Sequence, residues 1–88
     1  MRKGLLVGKV TADPRWNDRC LRFEAEFSPF EITEVTVDDR ELRKKARIIK
    51  IGDKIAIGKW ARLDYLKIKA NEIIRLVDIK DSMVVKPA

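Results

Sequence analysis

The chain has 88 residues, of which 20 are basic and 14 acidic, so its formal net charge is +6. This length suits one small domain, and the excess of positive charge favours an anionic partner such as nucleic acid or an acidic membrane surface. No apolar run approaches the roughly 20 residues of a membrane-spanning helix, so we expect a cytoplasmic protein. One cysteine excludes an internal disulfide, and the absence of histidine excludes His-based triads and the usual zinc sites.

The first predicted strand is Gly4–Ala12, which is rich in β-forming residues. Gly8 within it indicates a bend or bulge, as in a strand that serves two parts of a barrel. We expect the strand to end at Asp13-Pro14, because proline cannot continue a central ladder. Residues 13–19 are then expected to form a polar loop with Trp16 at its middle.

The clearest strand is Cys20–Ser28, in which apolar and polar residues alternate along the segment. Its predicted inward residues are Leu21, Phe23, Ala25 and Phe27. Pro29-Phe30 is expected to turn the chain into a third strand, Glu31–Val37.

A short helix is predicted after the third strand. Asp38 and Asp39 are good N-cap residues, and the spacing of Leu42, Ala46 and Ile49 gives the helix one apolar stripe. We expect Gly52 to supply a left-handed stop.

Two further strands complete the pattern. The fourth is expected from Lys54 to about Arg62, and the fifth from Tyr65 to Val77 after a brief turn at Leu63-Asp64. We expect one domain over residues 1–78, followed by a short tail over 79–88.

The expected fold class is therefore all-β with one helix, in the order strand, strand, strand, helix, strand, strand. This is the order of the OB-fold, a five-stranded Greek-key barrel that binds oligonucleotides or oligosaccharides. The pattern alone leaves other small α+β barrels open.

The residues also resemble the bacterial single-stranded DNA-binding protein family. The resemblance rests on Leu6-Val7-Gly8-Lys9-Val10 before Asp13-Pro14, on Val35-Thr36-Val37, on Ile51 to Gly58 and on Ile68 to Leu76. It implies an OB-fold that binds single-stranded DNA without catalysis, in replication, repair or recombination. It also implies pairing of two subunits through the first strand, so Leu5, Leu6 and Val7 are candidates for a homodimer contact.

The chain departs from the family in three ways. The loops after the second and fourth strands are short, the stacking tryptophan of the third strand falls near Ile32, and residues 79–88 do not resemble the acidic tail of the family. In these features the chain is more similar to a primosomal replication protein, a plasmid or phage binding protein, or another shortened relative of the family.

Single-strand binders combine basic side chains with aromatic rings on which bases stack. The candidate nucleic-acid-binding residues are Lys9, Arg15, Trp16, Arg19, Trp60, Arg62, Tyr65, Lys67 and Lys69. Trp16 is the main stacking candidate because it lies between basic residues in a polar segment, although it could instead fold back as a lid on the barrel. For Trp60, a structural role at the barrel mouth competes with nucleic-acid contact.

Two groups of charges point in other directions. The densest basic cluster, on the predicted helix, is interpreted as a solvated surface because an OB-fold helix closes the bottom of the barrel. Glu24 and Glu26 on the outward face of the second strand would repel phosphates. They favour a rival hypothesis, in which the barrel is an adaptor for protein contacts in a replication or viral assembly.

Catalysis is not expected, because the chain contains no glycine-rich phosphate loop, nucleophile elbow or metal-ligand cluster. No cofactor or metal is implied. Single-stranded DNA is the expected partner, with RNA left open.

Overall fold

The computed structural model describes residues 2–17 and 19–76, which form five strands and one helix. The elements are β1 (Arg2–Trp16), β2 (Leu21–Ser28), β3 (Glu31–Val37), α1 (Arg40–Ala46), β4 (Lys54–Asp64) and β5 (Lys67–Arg75). The strands close into a barrel in the order β1-β2-β3-β5-β4. All neighbours are antiparallel except β3 and β5, which run parallel. The expected OB-fold-like barrel with a helix between the third and fourth strands is confirmed. No helix in the described ranges is long and apolar enough to cross a membrane.

β1 changes its partner at Gly8 and Lys9. Its first part pairs with β4 as far as Lys9, and from Lys9 onward it pairs with β2. At this point β1 approaches β2 so closely that a Cβ on Gly8 would overlap the carbonyl oxygen of Glu26 and lie 2.6 Å from the ring of Phe27. The prediction that β1 serves two parts of the barrel is confirmed. The bulge predicted at Gly8 is absent, because Gly8 pairs regularly with Ile55 and the register shifts of β1 lie between Lys3 and Leu6 and beyond Val10.

The expected end of β1 at Asp13-Pro14 is wrong, because the strand continues to Trp16. Asp13 makes no turn; its Oδ1 accepts a hydrogen bond of 2.7 Å from the backbone N–H of Ile51. Pro14 falls within a register shift between Ala12 and Arg15, where the ladder is already interrupted. A proline without an N–H is tolerated at such an irregularity.

The helix α1 is capped as predicted. The side chain of Asp39 accepts a 2.9 Å hydrogen bond from the N–H of Leu42. The apolar stripe is buried against the barrel, including Ile49 beyond the helix. Gly52 adopts a left-handed φ of 93°, but it lies in a later turn and does not end the helix, which stops at Ala46.

The barrel interior is filled by alternating side chains of all five strands, with the apolar face of α1 covering one end. The largest fully buried side chains are Phe23, Leu21, Ile55, Ile57, Val10, Val35 and Val37. Because β2 begins where β3 ends, loop 17–20 lies at the same end as α1, which we call the helix end.

The opposite end carries two tight turns and is called the turn end. Pro29 and Phe30 join β2 to β3, and Tyr65 and Leu66 join β4 to β5. The second turn was expected at Leu63-Asp64, but these two residues extend β4. The part of the fifth strand expected at Val77, and the tail that follows, lie outside the described residues.

One ion pair fastens the start of β4 to the end of β5. Oδ2 of Asp53 lies 3.1 Å from Nε of Arg75 and also accepts a 3.0 Å hydrogen bond from the N–H of Lys50. Asp53 is only 8% exposed. A carboxylate at this depth needs such partners to offset its lost hydration.

Candidate nucleic-acid interface

Trp16 lies at the helix end of the barrel, where β1 finishes. It pairs with Leu21 across β1 and β2, so its side chain leaves the sheet on the same side as that core residue. Trp16 nevertheless lies beyond the core, and 51% of its surface is exposed. The guanidinium carbon of Arg47, at the C-terminus of α1, lies 5.6 Å from the centre of the Trp16 ring. This distance is typical of a cation–π contact.

The loop that follows Trp16 is held by Asn17. Its Oδ1 accepts hydrogen bonds from the N–H groups of Arg19 and Cys20, at 2.9 and 2.8 Å. Its own N–H donates to the carbonyl of Cys20 at 3.0 Å. These three bonds join Asn17 to Arg19 and Cys20, so they hold the chain where it passes from β1 to β2.

An open concavity of about 430 Å³ lies between Trp16 and α1. We call it the cationic groove; it is lined by Trp16, Arg40, Arg43, Lys44 and Arg47. Within the described part of the chain, the buried Nε of Arg43 has no hydrogen-bond acceptor. Because this atom is shielded from solvent, it offers no direct contact to an anion in the groove. The attraction of the groove for phosphate rests on the positive charges of its four basic side chains.

A second concavity lies on the other side of Trp16. It is lined by Arg15, Trp16, Asn17, Arg22 and Glu34. Arg15 and Arg22 are directly opposite each other on β1 and β2. Like charges in this position destabilise a sheet, and an anion between them would remove the repulsion. Trp16 thus stands between two surfaces that both present guanidinium groups.

The outward face of β2 and β3 carries Arg22 near the helix end, but its centre is acidic. Glu24 of β2 is directly opposite Glu34 of β3, and Glu26 lies on the same face. This is the face that OB-folds commonly use for nucleic acid. Here its carboxylates would repel a phosphate backbone, as Glu24 and Glu26 already indicated in the sequence.

The structure places the predicted site residues in separate regions. Arg15 and Trp16 lie together at the helix end, and the exposed Arg19 is in the adjoining loop. Lys9 is exposed on β1, where its cross-strand partners are Glu26 and Lys54.

The nucleic-acid role considered for Trp60 needs correction. Its side chain is 9% exposed and packs in the core cluster, so the ring presents no face on which a base could stack. The structural alternative for this residue at the barrel mouth agrees with its position.

The remaining predicted residues lie apart from the cationic groove. Arg62, Tyr65 and Lys67 are exposed at or near the turn end. Tyr65 lies in the turn before β5, so its side chain does not share a strand face with Lys67 and Lys69. Nζ of Lys69 lies 3.6 Å from Oδ2 of Asp38, so its charge has a partner within the chain.

Four basic residues of α1 and its C-cap border Trp16, and none of them was a predicted site residue. The basic cluster was visible in the sequence, but it was interpreted as a solvated helix face because an OB-fold helix lies away from the usual binding face. The contact between Trp16 and Arg47 arises from tertiary packing, and no local spacing in the sequence signals it. A first strand that continued to Trp16 would have placed this ring near the helix, but Asp13-Pro14 predicted an earlier strand end.

No family model matches this chain, and neither a curated protein nor a solved structure matches it.

Proposed function

We propose that this protein binds single-stranded nucleic acid, with single-stranded DNA as its main ligand, and that it acts without catalysis. The observation that supports this most directly is the exposed ring of Trp16 between two arginine-bearing concavities. Such a site combines the two components of single-strand recognition: an aromatic surface for a base and cations for the phosphates on either side of it.

Each part of the site has a defined role. Arg47 covers part of the Trp16 ring, and the exposed remainder accepts a base. Arg43 lines the cationic groove, and its positive charge helps to hold a phosphate there. On the far side of Trp16, a second phosphate lies between Arg15 and Arg22 and relieves their repulsion.

Selectivity for unpaired strands follows from the stacking step. Bases in a duplex already stack on one another, so Trp16 gains a base only from a single strand or a disrupted end. The cations attract single strands and duplexes alike, and stacking on Trp16 makes the affinity for single strands higher.

A role in replication, repair or recombination agrees with the resemblance of the chain to single-stranded DNA-binding proteins. The proposed site lies toward the helix end, because Glu24, Glu26 and Glu34 disfavour phosphates on the rest of the outward face of β2 and β3.

The test is tryptophan fluorescence during titration with oligo-dT at low salt. Because the chain has two tryptophans, the variant Trp60→Phe makes Trp16 the only reporter. We expect strong quenching in this variant and little quenching in Trp16→Phe. Trp16→Ala should weaken binding by about 5- to 150-fold, which corresponds to the loss of one stacked base.

Two controls define the result. The melting temperature of Trp16→Ala should stay close to that of the unmodified protein, because half of the ring is exposed. A duplex of the same length should bind more weakly and lose little affinity on this substitution. Unchanged fluorescence at low salt would contradict the proposal, as would a large fall in melting temperature with intact binding.

A further inference from the structure

The two turns at the turn end share an unusual construction. Each has two central residues, and the second has a left-handed φ although it is not glycine: 65° at Phe30 and 55° at Leu66. Each also exposes an aromatic ring, since Phe30 is 97% exposed and Tyr65 is 70% exposed. A bulky residue at positive φ is strained, and glycine or asparagine is preferred at this position of a turn.

Packing accounts for the strain at Leu66 but not at Phe30. Leu66 is half-buried and lines the mouth of the barrel, so its side chain gains contacts. Phe30 is almost fully exposed and gains little from the fold. Glycine would suit its backbone better and would remove an exposed apolar ring. Strain of this kind concentrates at functional sites, which suggests that the Phe30 ring contacts another molecule.

A concavity next to this turn can receive apolar side chains. It holds about 200 Å³ and includes Leu6, Phe27, Thr33, Leu66 and Ile68 in its lining. We call it the mouth cavity. It is continuous with the Phe30 turn, because Phe27 and Ser28 line both the mouth cavity and the concavity that contains Phe30.

The start of β3 provides a strand edge beside the mouth cavity. The pairing of β3 with β5 covers only Glu34 to Thr36. In the described structure, residues 31–33 therefore pair with β2 on one side and have no paired strand on the other. An extended polypeptide can add to such an edge through main-chain hydrogen bonds.

The charges around the edge favour a basic segment. Glu26, Glu31 and Asp64 surround the Phe30 turn and the mouth cavity, with Glu34 next along β3. The nearby cations are Arg62, Lys67 and Lys9, the last directly opposite Glu26. Four carboxylates against three cations leave this end acidic, although the chain as a whole carries +6.

We propose that the turn end is a docking site for an extended segment of another protein in which apolar residues alternate with lysine or arginine. The segment pairs with β3 at residues 31–33. Its apolar side chains enter the mouth cavity and pack against Phe30, while its basic side chains face Glu26 and Glu31. Nucleic acid is the poorer occupant, because the carboxylates repel phosphates. This site is independent of the cationic groove at the other end of the barrel.

The experiment uses a fluorescein-labelled peptide of alternating lysine and leucine, followed by fluorescence anisotropy with the full chain. Two control peptides replace lysine by glutamate or leucine by serine. We expect only the lysine–leucine peptide to bind, with amide NMR shifts concentrated at residues 31–33. Phe30→Gly should weaken it by at least about tenfold, as for an aromatic anchor, and Glu31→Gln by less. The matched control Ile48→Ala, an exposed residue near α1, should leave peptide binding unchanged.

Folding and nucleic-acid binding are checked in the same variant. Phe30→Gly should keep or raise the melting temperature, since glycine relieves the positive φ, and it should bind oligo-dT as before. The inference is overturned if the lysine–leucine peptide does not bind, or if it binds Phe30→Gly as well as the unmodified protein. A Phe30→Gly variant that loses oligo-dT affinity but keeps the peptide would instead make the turn end a nucleic-acid surface.

Discussion

Glu24 and Glu34 are directly opposite each other on the outward face of β2 and β3, so two carboxylates occupy the centre of the face that OB-folds commonly use for nucleic acid. Like charges in this position destabilise a sheet and create a negative potential above it. Their pairing explains why the proposed binding site lies at the helix end, beside Trp16, and not on this face.

Removing one charge of this pair should improve both stability and binding. We expect Glu34→Gln to stabilise the fold by less than about 1 kcal/mol, because it ends the repulsion with Glu24 but also removes the carboxylate opposite Lys67. Oligo-dT affinity should also rise, since Glu34 lines the concavity of Arg15 and Arg22. Thermal unfolding and fluorescence titration measure the two effects. Glu72→Gln, an exposed carboxylate on β5, is the matched control; an equal gain there would show only the effect of net charge.

The salt dependence of binding should be determined by the cationic groove. For single strands, log K falls with log salt at a slope of about −0.7 per phosphate neutralised, so three to five contacts give roughly −2 to −3.5. Arg43→Ala with Arg47→Ala should make this slope shallower by about one unit.

The matched double variant Lys67→Ala with Lys69→Ala should leave the slope nearly unchanged. Lys69 is already paired with Asp38, and Lys67 has Glu34 and Asp64 as its cross-strand neighbours. If this variant flattens the slope and the arginine variant does not, the phosphate backbone runs along β5, where Lys67 and Lys69 are among the residues that the sequence predicts to bind it.

The sequence was sufficient where local chemistry determines structure. The alternation from Leu21 to Phe27 predicted β2 and its inward face, and the Asp39 cap with the Leu42 stripe predicted α1. It was insufficient where tertiary contacts override a local rule. Pro14 suggested a strand end, but the bond from Ile51 to Asp13 keeps the segment extended. The contact of Trp16 with Arg47 likewise depends on tertiary packing, so the site could be predicted only in part.

We still expect a dimer, because β1 exposes apolar side chains. Leu5 and Val7 are 65% and 48% exposed. Leu6 packs against the core, so it is not available for the predicted contact between subunits. Val7 is directly opposite Ala56 of β4, and Ala56 is directly opposite the exposed Ile74 of β5. These three residues form one apolar row across three strands. We expect light scattering at tens of micromolar to give a dimer mass and Val7→Glu to give a monomer. A monomeric mass for the unmodified protein would rule the dimer out.

Gly8 should tolerate no side chain. Gly8→Ala places a Cβ against the backbone of Glu26 and the ring of Phe27, and overpacking of this kind costs about 1–3 kcal/mol. Gly58→Ala is the matched control, because a Cβ there meets only the flexible side-chain end of Glu72. Urea denaturation should show a clear loss for the first variant and a small change for the second. Equal losses would mean that the close approach at Gly8 has no energetic importance.

The Asp53–Arg75 pair should be essential for stability. Asp53→Ala leaves the guanidinium without this partner and also removes the acceptor for the Lys50 N–H, so we expect a loss of about 3–5 kcal/mol. The matched control is Asp38→Ala, since the Asp38–Lys69 pair is largely exposed and such pairs contribute about 0–1 kcal/mol. Chemical denaturation compares the two; a similar small effect for both would show that burial adds nothing to the inner pair.

The parallel seam between β3 and β5 also has a consequence for the motions of the barrel. It is closed by three residue pairs, from Glu34–Lys67 to Thr36–Lys69, whereas the other neighbouring strands pair over longer stretches. Its partners are far apart in the chain, so closure carries a loop-entropy cost that a hairpin avoids. The seam is therefore where the native barrel opens first, and its amide hydrogens should exchange with solvent before those of the β1–β2 and β4–β5 ladders. Each such opening would extend the unpaired edge of β3 from residue 33 toward residue 36.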